Sequence, residues 1–153
     1  MTNGAPSQEV RALGIDHGTV RIGVAKSDDI GLLAHPVETI DAKDSSVAVA
    51  RIIELVETFG ISDLVFGIPY RENGEAGSAA ARVSEFIEKV RQRLPEGVAC
   101  HEVDEAWTTQ DAMAKLHQAG RTEKNSRGII DQAAAVEILQ RWLDCRVPMD
   151  QVT

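Results

Sequence analysis

Apolar and polar positions along this chain follow two periods, and the changes of period mark its elements. Residues 10–15, VRALGI, are a mostly apolar run that reads as a buried strand, and RIGVAK at 21–26 returns with alternating character, as a strand with two unlike faces does. His17, Gly18, Thr19 and Val20 form the turn between them, and AHPVETID at 34–41 supplies a short third strand. At 45–59 the period becomes helical: Val49, Ile52, Ile53 and Val56 share one side, behind a serine cap and ahead of Gly60. DLVFGIP at 63–69 is a short apolar run closed by Gly67 and Pro69, which suits an inner parallel strand covered on both faces.

A second helix follows at 78–94, with Ala79, Val83, Phe86, Ile87 and Val90 on one side, and a strand at 98–103 that runs out in Asp104 and Glu105. Thr108 and Asp111 form a capping pair for a helix over about 109–118; 120–128 is a basic loop; a last helix at 129–144 is capped by Asn125 or Ser126. Hairpins impose antiparallel neighbours and helical crossovers impose parallel ones. The expected fold is therefore α/β, a mixed sheet with helices on its faces. Residues 10–146 make one domain, between a polar, disordered leader at 1–9 and a tail at 147–153.

Charge changes the picture more than size does. Sixteen Lys and Arg against 24 Asp and Glu give a net charge of −8, so any contact with a polyanion must be local or metal-mediated. Cys100 and Cys145 have neither zinc-ligand nor CxxC spacing and read as reduced thiols. No apolar run reaches the ~18 residues of a spanning helix, and MTNGAPSQE lacks the order of a signal peptide, so a cytoplasmic protein without membrane contact is expected.

The acids then stand out by position. In open α/β sheets a ligand site lies beyond the carboxyl ends of the strands, where Asp16 closes the first strand and Asp104 and Glu105 close the last. Asp131 heads the apolar stripe Ala134, Ala135, Ile138, Leu139 and Trp142 of the last helix, while Gln132, Glu137, Gln140, Arg141 and Asp144 fall on its solvated side. Three carboxylates brought together repel by about 4 kcal/mol per pair at ~4 Å and an effective dielectric of 20. A divalent cation removes that conflict. With oxygen ligands and no His or Cys at ligand spacing, the metal is Mg²⁺ or Mn²⁺, and two ions ~3.5–4 Å apart would suit phosphodiester hydrolysis. Asp104 either joins the ligands or orients Glu105.

The segments LGIDHGTVRIGVAKSDD, VFGIPYRENGEAG, VDEAWTT and IDQAAAVEILQRWL resemble, in order and spacing, the four signature blocks of the YqgF family, also called RuvX, of the RNase H-like superfamily. The resemblance implies a five-stranded RNase H-like sheet of order 3-2-1-4-5 and metal-dependent nuclease activity. Family members are described as Holliday junction resolvases and as nucleases maturing the small-subunit ribosomal RNA precursor. Its implied catalytic and metal-binding acids fall on Asp16, Glu105 and Asp131. Of its implied substrates, RNA at the 5′ end of precursor 16S rRNA is preferred over a DNA junction. Where the family usually has Asp-Glu-Arg, this chain has Asp104-Glu105-Ala106, so a phosphate-clamping guanidinium is missing. Arg21, Tyr70, Arg71, Arg121, Lys124 and Arg127 are the candidate substrate contacts. The Asp-His-Gly-Thr turn also resembles a phosphate loop of actin-like ATPases, but one copy in 153 residues lacks their second lobe. A non-catalytic RNA-binding module, the remaining alternative, would not require all three acids.

Overall fold

The structure, a computed structural model, describes residues 10–69, 77–104 and 123–146, the stretch 123–131 by its backbone alone. Its elements are β1 (Ala12–His17), β2 (Arg21–Ser27), β3 (Ala34–Asp41), α1 (Ser45–Phe59), β4 (Asp63–Ile68), α2 (Ser78–Arg91), β5 (Ala99–Asp104) and α3 (Glu123–Arg146). The five strands form one sheet in the order β3-β2-β1-β4-β5. The two hairpin pairs are antiparallel, and β4 lies parallel to both β1 and β5. The mixed sheet expected from hairpins followed by crossovers is the one observed.

Alternation sorts the strand residues onto two packed faces. On one face Leu13, Ile15, Ile22, Leu64, Phe66 and Ile68 pack against α1 and α2, through residues such as Ile52, Val56, Val83 and Phe86. On the other, Ala12, Ala25 and Val65 lie under Ala135, Ile138, Leu139 and Leu143 of α3. The strand residues beneath α3 are small for a steric reason. A Cβ built on Gly14 would stand 2.7 Å from Leu139 Cβ and 2.9 Å from the Ala135 carbonyl oxygen. The helix therefore rests almost directly on the β1 backbone.

Two glutamines fix the direction of α3. Gln132 Nε2 donates to Thr39 Oγ1 at 2.9 Å, while Gln140 accepts from the Ala34 amide at 2.9 Å and donates to the Leu32 carbonyl at 2.8 Å. The helix thus runs antiparallel to β3 and, through two antiparallel pairings, antiparallel to β1. Its N-terminal half points to the carboxyl end of β1. β3 itself is an edge strand, and its register with β2 shifts between Val24 and Ala25, so that Glu38 and Pro36 face consecutive β2 residues.

The structure corrects several sequence expectations. β1 continues through Asp16 and His17, which pair with Gly23 and Ile22, and the turn is only Gly18, Thr19 and Val20. Gly18 is required by proximity: its amide donates to the Arg21 carbonyl at 2.9 Å, and a Cβ there would lie 2.7 Å from that oxygen. The cap of α1 is Asp44, whose carboxylate accepts from the Ser46 and Val47 amides and is held below its usual pKa first by the Ser46 hydroxyl. The stripe of α2 uses Ala80, buried, in place of Ala79. α3 starts at Glu123, so two thirds of the expected basic loop is helix; Glu, Lys and Arg are good helix formers, and Gly128 costs only about 1 kcal/mol relative to Ala. Leu143, 1% exposed, rather than Trp142, completes its buried stripe. The expected helix at 109–118 lies outside the described residues.

Because neither neighbour of Gly14 can withdraw without moving α3, Gly14→Ala is expected to destabilise the protein by about 1–3 kcal/mol. Urea unfolding of the variant beside the parent measures this.

Candidate active site

Asp16 occupies the last but one position of β1, half-buried, on the face that carries α3. Directly across the hairpin lies Gly23, and across β2 from Gly23 lies Thr39. Asp16, Gly23 and Thr39 therefore form one row, in which Gly23 is the immediate neighbour of Asp16. On the other flank, extending the β1–β4 register one residue past Ile15 and Phe66 brings Gly67, and next to it Val103, into the same row. The positions on either side of Asp16 in this row are thus glycines, which add no Cβ beside it.

The placement of Asp131 follows from matching strides. Ala135 and Leu139 sit over Gly14. Stepping back four residues along α3 advances about 6 Å towards the carboxyl edge; stepping from Gly14 to Asp16 along β1 advances about 6.6 Å the same way. Position 131 thus comes over the row of Asp16, and Gln132, bonded to Thr39 of that row, pins the helix there. Positions 124, 127 and 131 share one side of α3 by helical period, which carries Lys124 and Arg127 along with Asp131. Arg21, half-buried, lies two residues from Gly23 on the same strand and hence on the same face as Asp16.

Asp104 differs. It pairs with Ile68, whose side chain belongs to the core under α1 and α2, so alternation sends it to the face opposite Asp16. Glu105, Tyr70, Arg71 and Arg121 lie outside the described residues. Among the described residues no three His, Cys, Asp or Glu side chains come together as a metal-binding group. The chemistry of the acids nonetheless suits a hard divalent cation: Asp16 offers carboxylate oxygens between two glycine positions, and His101, on the same face of β5, is engaged elsewhere. It hydrogen-bonds Asp63 Oδ1 at 2.8 Å and packs 4.7 Å from the Trp142 ring, towards the far end of the strands.

His17, read from sequence as a turn residue, is the buried last residue of β1. Its ring lies 4.3 Å from that of Phe86. Burial, aided by the nearby Arg82 guanidinium, pushes its pKa down to about 4. Sequence reasoning missed Arg82, although Arg82, Phe86 and Lys89 stand at i, i+4 and i+7 and so share one side of α2.

A family model described as Holliday junction resolvase, RuvX, matches residues 10–145. The chain belongs to the RuvX family. Membership puts it among the phosphodiester-cleaving nucleases and matches the resemblance carried by its four sequence blocks. A relative from Mycobacteroides abscessus named "Putative pre-16S rRNA nuclease" is 46% identical over 138 residues, covering 89% of this chain and 82% of its own. One of the same name from Corynebacterium jeikeium is 42% identical and is covered over 87% of its length. Among solved structures, RuvC of T. thermophilus in complex with a Holliday junction superposes with a TM-score of 0.58 at 18% identity, over 90% of this chain and 95% of that one. The fowlpox virus resolvase superposes with the same TM-score at 7% identity, over 91% and 100%. At those identities the likeness establishes the shared RNase H-like fold of RuvX chains and resolvases.

The depressed pKa of His17 makes a pH prediction. The unfolded chain takes up this proton near pH 6.5 and the folded chain only near pH 4. The contribution to stability is therefore complete above the unfolded pKa and is lost as pH falls from 6.5 towards 4. Urea midpoints across this range should fall more steeply for the parent than for His17→Phe, and equal slopes would remove the assignment.

Proposed function

We propose that this RuvX chain is a metal-dependent nuclease whose substrate is RNA, with the 5′ region of precursor 16S rRNA as the preferred target. The observation that carries the reading is the stacking of position 131 of α3 over the row of Asp16, which gathers acids from opposite ends of the sequence at one edge. Asp16, Glu105 and Asp131 would hold Mg²⁺ or Mn²⁺, in a two-ion arrangement. Bound there, the metal supplies charge neutralisation, a more acidic water and stabilisation of the leaving oxygen.

The remaining work falls to the chain itself. Asp16 is presented from a strand paired on both sides, so its carboxylate is positioned by backbone hydrogen bonds and not by a loop. Gln132 fixes the approach of α3, and with it position 131, through Thr39. Arg21, on the same face, is suited to a substrate phosphate, as are Lys124 and Arg127 along α3 and Tyr70, Arg71 and Arg121 in the connecting segments. In this reading one of the cations Arg21, Arg71, Arg121, Lys124 or Arg127 compensates for Ala106, where the family usually has arginine. The names of the curated relatives favour RNA. The family description and the junction-bound RuvC favour the second reading, a Holliday junction resolvase, which would require paired subunits for two symmetric cuts.

Labelled single-stranded RNA carrying the precursor 5′ junction, single-stranded DNA and a four-way DNA junction, incubated side by side in Mn²⁺, separate the readings. RNA cleavage that falls at least 100-fold in Asp16→Asn, with unchanged circular dichroism, is the expected result. Junction cleavage by a dimer would favour the resolvase, and equal cutting by parent and variant would remove Asp16 from the site. Gln132→Ala should lower the cleavage rate several-fold with little change in thermal midpoint, since it frees α3 from Thr39 without opening the core.

A further inference from the structure

A second hollow lies on the other face of the same sheet edge. It is a cleft of about 250 Å³ between the β1–β2 turn, the start of α1 and the middle of α2, lined by residues that include His17, Thr19, Ser45, Arg82 and Lys89. Its chemistry is unusual for a chain of net charge −8. Its lining includes two cations, Arg82 and Lys89, and one carboxylate, Glu85, all from α2. At its floor His17 is 9% exposed, and its Nδ1 is buried without a hydrogen-bond partner. The Nε of Arg82 is likewise buried and unpartnered. Leaving two such groups desolvated is unfavourable, and an oxyanion in the cleft would relieve at least the arginine.

Of the acids near the cleft, Glu85 is exposed on α2 and Asp44 is engaged at the α1 terminus. Asp44 is occupied by the amides of Ser46 and Val47, so the α1 terminus is neither a free anion site nor a free acid. Lys89 Nζ donates to Ser45 Oγ at 3.2 Å, which aims the ammonium across the cleft mouth. A neighbouring hollow of about 250 Å³ continues the groove between α1 and α2, sharing Ser45 and Lys89 and adding Arg93. Arg82 and Lys89 stand at i and i+7 on one side of α2, about 10 Å apart along its axis, and Arg93 follows two residues past the end of the helix. A row of cations of that length fits a chain of phosphates better than a single one.

We propose that the groove headed by His17, Arg82 and Lys89 is a phosphate-binding track that holds the backbone of the substrate strand where it leaves the Asp16 edge and passes over the β1–β2 turn. This assignment rests on the nuclease reading for its ligand, though not for the existence of the anion site. It divides the labour of the sheet edge, with acids on the α3 face for cleavage and bases on the α1/α2 face for grip.

The test uses the full chain without added metal and in EDTA, so that binding is read apart from cleavage. Fluorescence anisotropy of a labelled single-stranded RNA is followed against NaCl for the parent, Arg82→Gln, Lys89→Gln, the double variant and Arg82→Lys. Inorganic phosphate is titrated separately against backbone amide NMR shifts. Each lost phosphate contact should lower the slope of log K on log salt by about 0.7, and the double variant should bind about 10-fold or more weakly, with partial recovery in Arg82→Lys. Phosphate should shift the amides of residues 17–19 and 45 in the parent and not in the double variant. Unchanged affinity and slope in a folded double variant would overturn the strand assignment. If phosphate shifts are lost while RNA binding is intact, the groove serves a free phosphate and the proposal fails in that form. Should Asp16→Asn leave cleavage intact while the salt slopes still drop, the nuclease reading alone falls and the track stands.

Discussion

The arrangement depends on how closely α3 approaches β1. A helix resting on a sheet usually meets a layer of branched side chains and stands off at about 10 Å. Here Ala12, Gly14 and Ala25 leave that layer almost empty, and Leu139 and the Ala135 carbonyl press on the strand backbone. In the proposed reading, so short a distance is what would let an acid on the helix and an acid on the strand address the same small ion. The low side-chain volume in the middle of the strand thus serves the core directly and, in that reading, the site as well.

A second constraint is electrostatic. A strongly acidic protein that acts on a polyanion gains from keeping some of its cations apart from its clustered acids. The alternation of a β-strand does this at the level of one peptide: Asp16 and His17 are neighbours in sequence, yet their side chains serve opposite faces, one towards α3 and the other towards Arg82 and Phe86. The same alternation turns Asp104 away from the face of Asp16.

Much of this was legible in the sequence. Period alone located β3 and α1, because Ile52, Val56 and their neighbours recur at helical spacing and hairpin turns interrupt strand runs. The acids at strand ends pointed to the carboxyl edge, and Asp131 on the apolar side of its helix pointed the same way. The roles of Gln132 and Gln140 were not legible, because both look like ordinary solvated residues until β3 is brought beneath them. Neither was the identity of the α1 cap, where Asp44 and Ser45 are equally good candidates by type. His17 was misjudged because one residue of strand extension, decided by pairing with Ile22, moves it from a turn into the core. Packing decides such cases, and local pattern does not contain it.

The irregular pairing of β3 has a consequence outside the site. A sheet margin with a free row of amides and carbonyls invites a further strand, from another copy or from a misfolded chain. On β3 that invitation is withdrawn twice: Pro36 has no amide to give, and the register shift opposite Val24 and Ala25 breaks the even spacing a newcomer would need. Growth of the sheet along β3 is thereby disfavoured, so the edge that closes the hairpin half of the sheet also guards it against self-association by strand addition.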